Sequence, residues 1–263
     1  MTGLTSWLWA LPVLLALAIP AWALCTARRN AGLVDIFWSV FFLAACVPYA
    51  LAAETLSGTA LAVLAVVAVW ALRLSGHLAR RNWYAPEDPR YRAIRARNEP
   101  GFWWKSLYLV FGFQAVLAWL VSAPLAGAIT SGQPLGAIEW LGIAIALFGL
   151  VWESVADAQL TRFRSEPANA RRVMDSGLWR YSRHPNYFGE FCVWWGLYVV
   201  AAGAGAAYTV FAPILMSVLL LRVSGVPLLE KDIGERRPGY HDYVARTNTF
   251  FPGPRKESPC TQS

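Results

Sequence analysis

Apolar residues fall into long runs along this chain, separated by shorter polar breaks. The runs centre near residues 7–24, 33–53, 58–79, 104–124, 135–156, 187–203 and 206–226. A helix that crosses the hydrocarbon core of a bilayer takes about 20 mostly apolar residues. The pattern therefore predicts an all-α integral membrane bundle of seven transmembrane helices in one domain, residues 1–263, with two or three short spans. Basic residues occupy only alternate breaks. Arg28 and Arg29 follow the first run, Arg80 to Lys105 separates the third from the fourth, Arg162 to Arg183 the fifth from the sixth, and Lys231 to Lys256 lies in the tail. The breaks near residues 51–58, 125–134 and 202–207 hold no Lys or Arg, and Arg73 and Arg222 sit inside runs near their basic ends. Basic loops stay cytoplasmic, which places the N-terminus outside and the C-terminus inside.

Composition agrees with this reading. A chain that is 57% hydrophobic and 15% charged, with 14 Trp, is unlike a soluble domain. The net charge of +7 would suit nucleic acid in a soluble protein, but here it points to anionic lipid headgroups on the cytoplasmic face. No nucleic acid and no obligate protein partner are implied. Met1 to Trp7 lacks the basic segment of a signal peptide, so the first run is expected to be a retained helix. Cys25, Cys46, Cys192 and Cys260 show neither metal nor redox spacing and read as packing residues.

Ionisable residues at membrane depth are costly, so they mark candidate function. Asp35 opens the second run. Arg73 and His77 lie one turn apart near the cytoplasmic end of the third. Glu153 and Asp157 are four apart in the fifth, and Arg164 continues their stripe. All point to a polar cavity in the cytoplasmic half of the bundle. After the third run, the loop from Arg80 to Arg92 leads into an expected short helix from Tyr91 to Arg97. The segment from Arg171 to Glu190 gathers four Arg, four aromatic residues, a His, an Asn and a Glu around Gly and Pro breaks. Guanidinium forks suit phosphate and aromatic planes suit flat rings, so this segment is a candidate ligand site. There is no Gly-rich phosphate loop preceding a strand–helix unit. Three His cannot supply a multi-His di-iron centre. A haem held by His77 and His184 rests on availability alone.

Gly177-Leu178-Trp179-Arg180-Tyr181-Ser182-Arg183-His184-Pro185-Asn186-Tyr187-Phe188-Gly189-Glu190 resembles the C-terminal domain of the steroid 5α-reductase family, including its bacterial members. Trp152 to Leu160, Val34 to Trp38, Arg73 to Asn82 and Tyr240 to Pro252 look like parts of the same family, so the likeness runs from about Gly32 to Pro252. It implies a membrane reductase, in a bacterial-type inner membrane, that takes NADPH from the cytoplasm and a steroid or similar lipophilic enone from the bilayer. By position it implies that Asp157, Arg164, Arg172, Arg183, His184, Asn186, Tyr187 and Glu190 hold the cofactor, with Tyr240 and Tyr243 closing from the tail. Asp35 or Glu153 is then the candidate for the acid that meets the substrate carbonyl, with Arg73 orienting it. Trp38, Trp70 and His77 would line the substrate. The mammalian steroid enzymes are thought to use a Glu on the second helix and a Tyr on the third. This chain has Asp35 near the first position, and its third helix carries no Tyr. The isoprenylcysteine carboxyl methyltransferases share the Arg-His-Pro loop and use S-adenosylmethionine. Their tail carries paired Glu residues where this chain has Leu229-Glu230-Lys231-Asp232, which argues against methyl transfer.

Overall fold

The structure, a computed structural model, describes residues 3–223 and 237–256, and every regular element among them is helical. Five helices are long and apolar enough to cross a membrane: Gly3–Ala27, Ala31–Ala52, Gly58–Asn82, Phe102–Val121 and Ala137–Ser165. The last two apolar runs of the sequence form a 19-residue helix, Pro185–Gly203, and a shorter apolar helix, Ala207–Val223. The chain divides into two compact units, one of Met1–Ile143 with Leu197–Ala212, the other of Ala144–Gly196 with Pro213–Ser263.

In the first unit, α1 (Gly3–Ala27) packs along α2 (Val34–Ala52), and α2 along α3 (Gly58–Asn82). Local chemistry sets the ends of these helices. Arg29 adopts a positive φ of 52° after α1, and the Asn30 side chain accepts from the Gly32 N–H to start a turn of 3-10 helix into α2. Ser57 caps α3 by accepting from the Ala60 N–H. The expected short helix after the third run exists as α4, Pro89–Asn98, beginning two residues before Tyr91. Asp88 is its N-cap and Pro89 its first residue, a pairing that satisfies one free N–H and removes another.

The fourth apolar run is a composite. α5 (Phe102–Ser106) passes through a π-helical stretch, Leu107–Gly112, into α6 (Phe113–Val121), and α7 (Ala123–Ile129) follows. Phe41, Phe42, Tyr49 and Trp70 are fully buried and form the heart of this unit. Truncating one such ring to Ala would cost about 3–5 kcal/mol. Trp7 of α1 and Trp119 of α6 stack at 4.1 Å between ring centroids, and each indole N–H donates to the other's backbone carbonyl, at 2.9 and 2.8 Å.

The second unit contains most of α8 (Ala137–Ser165), the first part of α9 (Pro185–Gly203), most of α10 (Phe211–Val218) and the tail helix α11 (Tyr240–Arg246). α8 and α9 cross with almost no gap. A Cβ placed on Gly149 would lie 2.5 Å from the Gly189 carbonyl oxygen and 2.6 Å from the Val193 nitrogen. Only glycine permits this approach from either side.

Candidate functional site

The first unit holds a polar cluster at the head of α2. Tyr91 of α4 donates its hydroxyl to Asp35 Oδ1 at 2.5 Å, and Arg90 donates Nη2 to Asp35 Oδ2 at 3.1 Å. Arg90 also reaches back to its own N-cap, Asp88, with Nε at 2.9 Å from Oδ1. Gln114 of α6 donates Nε2 to the Tyr91 hydroxyl oxygen at 3.0 Å. Burial works to lower the Arg90 guanidinium, but the charges and hydrogen bonds of Asp35 and Asp88 outweigh it and hold Arg90 above its ordinary value. Burial, joined by the Asp35 charge, pushes the Tyr91 phenol well above its ordinary value. Tyr91 is thus a neutral O–H donor across the working range of pH, and Asp35 is its acceptor.

A second set of contacts straps this loop onto the α1–α2 turn. Arg95 clasps Glu87 with two hydrogen bonds, at 2.8 and 3.0 Å, and Glu87 accepts the Ala31 N–H at 2.7 Å. The Arg28 guanidinium lies 4.1 Å from the centre of the Trp83 ring. The remaining first-unit candidates lie on neighbouring turns. Trp38 and Phe42 meet edge to face at 5.1 Å, and Phe42 meets the buried Trp70 at 5.7 Å. Arg73 and His77 are half-buried on α3, one turn apart. Between them Ser75 donates to the Ile36 carbonyl at 2.8 Å and shares a 2.7 Å bond with Ser39.

The second unit holds the other set. Gly149, Glu153 and Asp157 form one stripe of α8, and a Cβ on Gly189 would lie 2.6 Å from the Glu153 Cβ. The crossing therefore buries Glu153 and Asp157, along with Glu190, the residue after Gly189, and His184 just before α9. The His184 and Tyr187 rings run nearly parallel, 5.9 Å apart. Asn186 and Tyr187 occupy the first turn of α9, half-buried. Arg164 and Arg172 are exposed beyond the end of α8's apolar stretch.

The loop leading to α9 is fastened on two sides. On the α8 side, the Leu178 N–H donates to Gln159 Oε1 at 2.9 Å and the Trp179 indole donates to the Ala156 carbonyl at 3.0 Å. Gly177, at φ 59°, is in the left-handed region that favours glycine, and a Cβ there would meet the Gln159 side-chain amide at 2.6 Å. On the tail side, Arg183 donates Nη1 to the Val244 and Thr247 carbonyls, both at 3.1 Å, and Nη2 to Thr249 Oγ1 at 2.9 Å. Its backbone N–H reaches the Asn248 carbonyl. Ser182 Oγ donates to the Phe250 carbonyl and Tyr243 to the Trp179 carbonyl, at 2.7 and 2.6 Å. Burial pushes the Tyr243 phenol up, with Tyr240 beside it at 6.0 Å between rings. Phe188, Phe191, Phe250 and Phe251 pack edge to face under this strap.

The resemblance places Arg183 among the cofactor contacts; its guanidinium donates to the Val244 and Thr247 carbonyls and to Thr249 Oγ1 of the tail. Arg90, Tyr91 and Gln114 are not among the site candidates of the sequence. The Asp-Pro helix start and the single amide within the fourth apolar run were the available signals for them. Among the described residues no group of three or more His, Cys, Asp and Glu could hold a metal ion, and Cys25, Cys46 and Cys192 are buried free thiols. Leu229 to Asp232 and Cys260 lie outside the described residues.

The five long apolar helices make the chain a helical membrane protein. It belongs to the family described as a protein of unknown function, DUF1295, whose model matches residues 21–247. It is similar to uncharacterized protein C594.04c of Schizosaccharomyces pombe, 25% identical over 260 residues, which covers 88% of this chain and 75% of that relative. No solved structure matches.

Proposed function

We propose that the protein is a seven-span membrane reductase, C-terminus in the cytoplasm, that uses NADPH to saturate the carbon–carbon double bond of a steroid or similar lipophilic enone. The observation that carries this reading is the buried polar set at the α8–α9 crossing: Glu153, Asp157, His184 and Glu190 around the first turn of a helix. Those groups fit a dinucleotide. Carboxylates accept from ribose hydroxyls and from the nicotinamide carboxamide, the Tyr187 and His184 rings offer flat faces, and the N–H groups of α9's first turn attract an anion. The exposed Arg164 and Arg172 add charge for phosphate. Arg183 supports this set by holding the loop to the tail.

When bound, NADPH supplies a hydride to the β-carbon of the enone. The protein must then stabilise the negative charge that reaches the carbonyl oxygen. In the first unit, the Tyr91 hydroxyl, which donates to Asp35 in this structure, is the O–H group suited to that task once it turns from Asp35 to the carbonyl oxygen, with Arg90 holding the Asp35 charge. Glu153 is the rival donor. The aromatic row of Trp38, Phe42 and Trp70 suits a flat apolar ligand.

The test is direct. Full-length protein purified in detergent is titrated with NADPH and assayed for its oxidation in the presence of testosterone, a 4-en-3-one. Saturable NADPH binding with steroid-dependent oxidation is expected. Binding of S-adenosylmethionine in place of NADPH would replace this reading with methyl transfer.

A further inference from the structure

We infer that Gln114 is a positioning residue that directs the Tyr91 proton and receives the charge left when that proton departs. The inference rests on the reductase reading for its chemical use, while its geometry stands alone. Hydrogen-bond polarity carries the argument. Asp35 accepts from both of its partners, Arg90 Nη2 and the Tyr91 hydroxyl. Tyr91 has one proton, and it is directed to Asp35. The phenolic oxygen then has only lone pairs to offer Gln114, so the amide must present Nε2, as it does at 3.0 Å.

That choice has a cost. It leaves Gln114 Oε1 buried with no hydrogen-bond partner among the described residues. A flipped amide would instead set two acceptors face to face. The relay of Gln114 to Tyr91 to Asp35 therefore overrides what would suit the amide alone.

The backbone also turns Gln114 onto this face. Gln114 is the second residue of α6, immediately after the π-helical Leu107–Gly112. A π-bulge holds one residue more than an α-turn, which rotates the following helix by about 100°. Removing the bulge would carry Gln114 away from Tyr91.

The consequence is chemical. Hydride addition to the β-carbon moves the double-bond electrons onto the carbonyl oxygen as an enolate. The Tyr91 hydroxyl turns from Asp35 to that oxygen, its O–H bond breaks as an O–H bond forms on the carbonyl oxygen, and the enol relaxes to the saturated ketone. Tyr91 is left as a phenolate and regains its proton from solvent. Throughout, the Gln114 N–H already points at the phenolic oxygen, so the charge appears where a donor is in place. The charged groups that act on Tyr91 are Asp35 on α2 and Arg90 on α4; Asp88 pairs with Arg90, and Cys25 on α1 feels the Asp35 charge.

Two measurements on the full-length protein test this. Tyr91 is replaced by 3-fluorotyrosine and titrated by fluorine NMR. Gln114→Leu should move its midpoint to higher pH, and Gln114→Asn, with a shorter amide, should fall between. An unmoved midpoint in both variants overturns the inference. Single-turnover reduction of testosterone then gives a double-mutant cycle. Gln114→Leu should slow it at least tenfold with testosterone KM and NADPH affinity nearly unchanged, and should add nothing in a Tyr91→Phe background. Additive losses, or full activity in Gln114→Leu, would show that the amide only joins helices. No turnover in the unmodified protein would sink the reductase reading and leave the NMR titration to decide Gln114.

Discussion

Gly149 and Gly189 touch backbone to backbone: a Cβ on Gly189 would come within 2.7 Å of the Gly149 carbonyl oxygen and 2.6 Å of the Glu153 nitrogen. Neither contact is with the far end of a flexible side chain, so nothing nearby can swing aside. Gly189→Ala should force α8 and α9 apart and destabilise the second unit by about 1–3 kcal/mol. Thermal unfolding in detergent measures it. A melting temperature equal to that of the unmodified protein would show that the crossing relaxes freely.

Arg183 supplies a second prediction. Its guanidinium makes three hydrogen bonds to the tail, and bonds to a charged group are worth about 1.5–3 kcal/mol each. Those values do not add. Arg183→Ala should nonetheless open residues 237–256 to limited proteolysis at least tenfold faster, while Arg183→Lys, which keeps the charge but loses the fork, should protect only in part. If NADPH affinity falls in the same order, the loop depends on the strap; a tail still protected in Arg183→Ala would refute the strap itself.

The Tyr91 phenol gives a pH dependence with a definite sign. Its folded value lies well above the ordinary 10.0. Below about pH 10 it is neutral in both states and its contribution is fully present. Above that, the unfolded phenol ionises first, so the unfolded state gains and stability falls as pH rises. Tyr91→Phe should flatten part of this alkaline loss between about pH 10 and 11. Unfolding midpoints across that range are the readout, and an unchanged slope would mean that Tyr91 titrates as it does in the open chain.

Topology is checked with reporters. A fusion after Lys256 should report a cytoplasmic location and an insertion at Gly132 an external one, as the proposed topology and the distribution of the 23 Lys and Arg predict. Both reporters on one side would end the odd-span arrangement.

Some of this architecture was legible in the residues and some was not. Apolar run length found the long helices, because a bilayer imposes a length that a sequence must meet. The acids at depth, Asp35, Glu153 and Asp157, stood out for the same reason. What they touch was hidden. Asp35 finds its partners 55 and 56 positions later, on a helix whose start is announced only by Asp88 and Pro89. The π-helical stretch at Leu107–Gly112 has no periodic signature, so the face taken by Gln114 could not be read. The tail contacts of Arg183 carried no signal in the sequence, because guanidinium chemistry is the same toward a phosphate and toward a row of carbonyls.

The paired indoles of Trp7 and Trp119 act as a detent. Their two N–H···O=C bonds run in opposite senses between the same two residues, so sliding α1 by one residue along α6 breaks both at once. No intermediate register keeps either. Helix α1 is 25 residues long, roughly 37 Å at 1.5 Å per residue, with Pro12 and Pro20 inside it. Latched at its Trp7 end and packed along α2, it helps set the height of the Arg28–Asn30 turn at the other, and with it the level at which Asp35 enters α2. The position of the Asp35 carboxylate is therefore set in part by two tryptophans most of a helix length away, and a Trp119→Phe protein should show it as a loosened Asp35–Tyr91 bond at an unaltered site.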